Sequence, residues 1–191
     1  MNTEKPTTLV EAYRFVNERY IFNETNYPTL VILTNKDDRI NFALKHSLLH
    51  MQKSLAKITR LYENTHPAGN KIVTLRFSDQ HGTNFESDRH AFTKQVVNSL
   101  KVAEIVGITE EQFASIRPVH GISEFDEVLA EAMGILAREC ESADHGGKIE
   151  REEMIRAMSF TWARLLPFEL LHRPEFLKYI PEVMKSKEPA M

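Results

Sequence analysis

Cysteine occurs once in the 191 residues, at Cys140, which excludes an internal disulfide and a cysteine zinc cluster and fits a reducing compartment. Glycine and proline are sparse as well, at 7 and 8, and their scatter leaves no stretch for a long flexible linker. Nowhere do 18 apolar residues run together, so no segment can cross a bilayer as a helix. The start, MNTEKPTTLVEAYRF, also lacks the basic residues and unbroken apolar run of a secretory signal. These absences predict a cytoplasmic protein with no membrane partner. No serine has the G-x-S-x-G setting of a nucleophile elbow, and DHGGK (144–148) lacks the full phosphate-loop spacing and reads as a turn between helices.

What is present is the composition of an ordinary globular chain, long enough to bury about 70% of the surface its unfolded form exposes. The net charge of −3 hides an asymmetry. Residues 1–107 carry 14 Lys and Arg against 11 Asp and Glu, while 108–191 carry 10 against 16. Such a split predicts either a polar partner for the first half or attraction between the halves. The division of the chain follows it: an N-terminal half with a long basic-striped helix (1–107) and an acidic helical half (108–191), packed as one compact unit.

Helical periodicity dominates. Thr8 and Glu11 form a capping box for a helix over 9–22 with Leu9, Tyr13, Val16 and Tyr20 on one face. A helix over 38–64 stops at Pro67 and Gly69; another, over 85–106, carries Phe92, Val96, Ala103 and Val106 on one face and stops at Gly107. Thr109 and Gln112 box a short helix ending before Pro118. Ser123 is the expected cap of a helix over 124–141, and a further helix covers 149–166 before Pro167 and Pro174 break the remainder into short pieces. Two β-branched runs, TLVILT (29–34) and KIVTLRF (71–77), are candidate strands, and the order strand, long helix, strand suggests a parallel pair. The predicted class is mostly α, a multi-helix bundle with at most one small two-stranded β element.

The helix over 38–64 carries two patterns. Leu44, Leu48, Met51, Leu55, Ile58 and Tyr62 make a core-facing seam. His46, His50, Lys53, Lys57 and Arg60 repeat its steps two residues later, ~200° round the cylinder, and so are expected on the opposite side. Any amphipathic helix has a polar side, and a solvated face is the plain reading. Yet no Asp or Glu interrupts residues 39–62, so the usual i to i+4 ion pairs are missing. Five potential cations on one stripe suit phosphates, with point charges from lysine and a forked donor from Arg60. His46 and His50 also have the i to i+4 spacing of paired metal ligands, but no third ligand stands in a recognised spacing and the neighbouring lysines oppose a dication. Arg39 and His46 in addition resemble the R-x(4 to 6)-H pattern of a family of helical RNases, with Ile40 where those motifs favour a polar residue.

In the acidic half, Glu124 and Glu127 stand three apart, as do Glu150 and Glu153, giving E-x2-E-x22-E-x2-E. This resembles the E-x-x-E, spacer, E-x-x-D pattern of the MazG-like all-α nucleoside triphosphate pyrophosphohydrolases. The resemblance implies an all-α bundle with Mg²⁺ held by those acids and acting on a triphosphate. SLKVAEIVGIT (99–109) is similar to the apolar, Gly-terminated end of that family's second acidic helix, though the upstream positions here are Ala91 and Lys94. The chain departs from the pattern in having Glu153 where the family has Asp. In an antiparallel hairpin, moreover, the starts of the two helices lie ~20 Å or more apart. Carboxylates placed in first turns by the helix dipole are the competing explanation.

Three functional expectations result. The first is a binding or regulatory protein contacting nucleotide or nucleic-acid phosphates through His46, His50, Lys53, Lys57 and Arg60, with no cofactor. The second is a Mg²⁺-dependent nucleotide pyrophosphohydrolase relative. The third is a protein-protein adaptor or homodimer joined through Phe160, Trp162, Phe168 and Phe176, residues that serve equally well as a core cluster.

Overall fold

The computed structural model describes residues 5–65, 85–121 and 124–185; the side chains of 59–65 and 85–88 lie outside that description. Every long element among them is helical. The order is α1 (Leu9–Arg19), a 3-10 turn at Pro28–Val31, α2 (Lys36–Thr65), α3 (Phe85–Val106), α4 (Glu110–Ser115), α5 (Phe125–Asp144), α6 (Arg151–Leu165), a 3-10 turn at Glu169–His172, α7 (Pro174–Leu177) and α8 (Ile180–Lys185).

Local signals set most of the ends. Thr8 Oγ1 accepts from the Glu11 N–H at 3.1 Å, and the Glu11 carboxylate accepts from the Thr8 N–H at 3.3 Å. Thr109 and Gln112 make the same reciprocal pair, at 3.2 and 2.8 Å. Gly107, at φ +109°, closes α3: its N–H bonds the Glu104 carbonyl while the Ile108 N–H bonds the Ala103 carbonyl. The cap of α5 differs from expectation. Glu124 holds the extended N-cap position and the helix begins at Phe125, while Ser123 lies outside the described residues.

The α5–α6 turn at DHGGK repeats the α3 stop. Gly146 sits at φ +81°, its N–H bonds the Ala143 carbonyl and the Gly147 N–H bonds the Ser142 carbonyl. A Cβ on Gly147 would strike Ser142 Oγ and come within 2.8 Å of the Ser142 carbonyl oxygen. Gly147→Ala is therefore expected to destabilise the fold by ~2 kcal/mol, the usual scale of overpacking, measurable by urea unfolding.

The candidate strand at 29–34 is not a strand. Pro28 opens a 3-10 turn in which the Leu30 N–H bonds the Tyr27 carbonyl at 2.9 Å. Only Leu30 is buried; Val31 and Ile32 are 62% and 76% exposed, so the alternate burial a strand needs is absent. Arg39 holds the turn from α2, donating to the carbonyls of Leu33 at 2.6 Å and Leu30 at 3.1 Å and to Glu24 at 2.5 Å. The second candidate, 71–77, lies outside the described residues.

α3 is the central helix. Its buried residues include Ala91, Phe92, Val96, Val97, Leu100, Val102, Ala103 and Val106, and it packs on α1, α2, α6 and α8. Thr93, Gln95, Asn98, Ser99 and Lys101 are buried with them, so α3 is covered by neighbours around most of its circumference, polar side chains included. α5 and α6 form an antiparallel hairpin whose register is marked by Arg164–Glu131 at 2.5 Å and Arg138–Glu153 at 2.7 Å. One apolar core takes residues from both halves, and ion pairs cross between them: Arg14 with Glu110, Lys45 with Asp144 and Lys5 with Glu182. Part of the charge asymmetry is thus neutralised within the molecule.

Candidate anion-binding edge

The buried line of α2 runs through Leu44, Ser47, Met51, Ser54 and Ile58, in steps of three, four, three and four. Leu48 and Leu55 are only half-buried. The two serines are the reason: both are buried, and apolar periodicity alone does not count them. The buried face is consequently rotated toward the basic stripe. His46, His50, Lys53 and Lys57 each directly precede a buried residue, so this part of the stripe lies ~100° from the face centre instead of ~200°. It flanks the α2–α3 seam rather than standing opposite it.

That rotation divides the five predicted residues. His46 is half-buried in an aromatic cluster, 4.9 Å from the Tyr27 ring, 5.6 Å from Phe22 and 6.3 Å from Phe42. His50 packs on His46 with ring centres 4.6 Å apart. These imidazoles help fasten the 20–27 segment to α2, a packing role the spacing did not reveal. Lys53 and Lys57 are exposed farther along, and the side chain of Arg60 lies outside the described residues.

α3 contributes what the sequence reading missed. Lys94 is half-buried beside Lys57, and its pKa is lowered from the ordinary lysine value, first by burial and second by the Lys57 charge. Among the described residues no carboxylate pairs with Lys53, Lys57 or Lys94. The same side of α3 carries Lys101 one register farther on, buried, 2.7 Å from Glu104 and about 6 Å from the rings of Tyr20 and Phe22. The i to i+7 spacing of Lys94 and Lys101 was visible; their placement beside α2 was not.

No family model, curated protein or solved structure matches this chain. The likeness to the pyrophosphohydrolases therefore rests on the quoted residues alone. Geometry keeps its acids apart. Glu124 and Glu127 cap the start of α5, where the Glu124 N–H donates to Glu127 Oε2 at 3.5 Å. Glu150 and Glu153 lie at the far end of the hairpin, Glu153 paired with Arg138. Among the described residues no group of three or more His, Cys, Asp or Glu stands where it can hold a metal ion. The Arg39 guanidinium is engaged by two carbonyls and Glu24, so it is held away from a role like that of the RNase arginine.

Of the aromatic residues considered as an adaptor surface, Trp162 and Phe176 are fully buried and Phe168 is half-buried; Phe160 alone is exposed. Among the described residues no helix is long and apolar enough to cross a membrane.

Proposed function

We propose that this protein binds a phosphate-bearing ligand along the edge formed by Lys53 and Lys57 of α2 and Lys94 of α3. The observation that carries this reading is the approach of Lys57 and Lys94, two like charges from different helices, one of them partly desolvated, with no carboxylate paired to either among the described residues. A bound polyanion offsets the repulsion and compensates the partly desolvated charge, and ammonium groups meet phosphate oxygens in charge-assisted hydrogen bonds.

The test is titration of ATP, pyrophosphate and a ten-nucleotide single strand at two salt concentrations. Three lysine contacts to a single strand give a slope near −2 in log K against log salt, so affinity for the oligonucleotide should fall ~20-fold between 50 and 200 mM. Lys53→Gln with Lys57→Gln should flatten that dependence. Binding indifferent to salt and to both substitutions overturns the reading. So does Mg²⁺-dependent release of pyrophosphate from nucleotides that is lost on Glu124→Gln or Glu153→Gln, which replaces it with the hydrolase.

A further inference from the structure

α2 and α5 run antiparallel on the side of the molecule where Lys45 grips both carboxylate oxygens of Asp144 and the Asn41 amide donates to the same group at 3.2 Å. Between that clasp and Gln52 lies a groove of about 550 Å³ walled by Leu48, Leu49, Met133, Gly134, Ala137 and Cys140. Its size falls within the ~300–1,000 Å³ of small-molecule sites, and its mix of an apolar floor with a few polar groups at one end is typical of them.

Two further observations bear on an occupant. Gly134 lies mid-helix, where glycine is the least favourable residue after proline, and a Cβ there would meet no atom within 4 Å. Packing within the chain gives no reason for a glycine; an open floor does. The second concerns charge. Lys45 and Asp144 neutralise each other, whereas the Glu141 carboxylate, on the same rim, has no ion-pair partner among the described residues. The groove thus has an unmatched carboxylate at one end of an apolar trough.

We infer that this groove is a second ligand site, taking a small amphiphile with an apolar body and one protonated amine that reaches Glu141. An apolar carboxylate would face Glu141 and Asp144, with Lys45 already neutralised and His145 beside Asp144 as the other basic group lining the groove. A protein partner would need ~800 Å² on this side. Beyond the groove, however, the flanks of α2 and α5 turn polar at Lys53, Glu131 and Arg138.

The experiment is calorimetric titration of the full chain at pH 7 with decylamine, decanoate and decanol, each below its micelle concentration. Decylamine is expected to bind one site at least tenfold more tightly than decanoate, and Glu141→Gln to reduce that preference below threefold. Gly134→Leu should abolish binding of all three with helix content unchanged by circular dichroism. Should that variant misfold, Gly134→Ala, for which there is room, should raise the melting temperature and weaken decylamine severalfold. Cys140 supplies a site-specific readout: burial pushes its thiol up to about 11, and its slow alkylation by N-ethylmaleimide should slow further in proportion to decylamine occupancy. Absence of binding, equal affinity for amine and carboxylate, full binding by Gly134→Leu, or an unprotected Cys140 overturns the inference. Decylamine binding should be the same in Lys57→Glu, which separates this site from the lysine edge.

Discussion

Trp162→Ala is expected to destabilise the fold by ~3–5 kcal/mol, the largest loss from any single truncation considered, measurable as a shift of the urea midpoint. The indole is fully buried and meets the Phe113 ring edge-on at 5.1 Å. Phe113 in turn stacks on Tyr13 at 4.4 Å, and the Tyr13 hydroxyl donates to the Ile108 carbonyl at 2.5 Å, just beyond the end of α3. Trp162 is therefore the inner end of a chain of rings that ties α6 to α4, α1 and the end of α3. Truncation leaves a cavity bounded by three helices that cannot easily collapse into it. Phe160→Ala, two residues away but 54% exposed, should change stability by no more than ~0.5 kcal/mol. The contrast also tests the adaptor expectation: an association-dependent signal lost on Phe160→Ala, with the monomer's stability unchanged, would restore it. The indole N–H has no partner among the described residues, so Trp162→Phe removes an unsatisfied donor along with some volume and should fall well short of the alanine loss.

What was legible in the sequence was what a few adjacent residues decide. Thr8 with Glu11, Thr109 with Gln112 and the glycine at 107 fixed helix ends because a hydroxyl, a carboxamide or a positive φ acts within one turn. The long elements followed from 3.6-residue periodicity. The errors were long-range. Residues 29–34 are rich in β-branched side chains, yet Pro28 begins a 3-10 turn and Arg39, in the first turn of the next helix, reaches back to hold its carbonyls. The buried face of α2 is not the one that apolar periodicity marks, because Ser47 and Ser54 count as polar in a pattern but are buried. The pattern expects all five basic residues in water, whereas His46 belongs to an aromatic cluster; Lys53 and Lys57 are exposed, and the side chain of Arg60 lies outside the described residues. Lys94 lies 37 positions from Lys57, and nothing local announces that they meet.

Reversing the charge at that meeting should move stability and binding in opposite directions. Lys94→Glu replaces a like-charge contact with Lys57 by an opposite one, and a partly exposed pair of this kind contributes ~0.2–1 kcal/mol, so the melting temperature should rise by ~1–3 °C. The same change takes one cation from the ligand and adds a repelling carboxylate, a loss of ~3 kcal/mol, or about 100-fold in affinity for pyrophosphate or a short oligonucleotide. Lys94→Gln should lie between the two in both measurements. A pH signature accompanies them. Because burial and Lys57 lower the Lys94 pKa in the folded chain, the unfolded chain holds more protons just below the ordinary lysine value. Stability should consequently gain from Lys94 as pH rises through that interval, and the gain should vanish in Lys94→Gln. A residue placed for packing alone predicts none of these opposed signs: its replacement by a shorter, oppositely charged group would lower stability and leave phosphate affinity untouched. A Lys94→Glu variant that melts earlier than wild type while binding pyrophosphate equally well would show that the lysine edge is only a solvated helix margin.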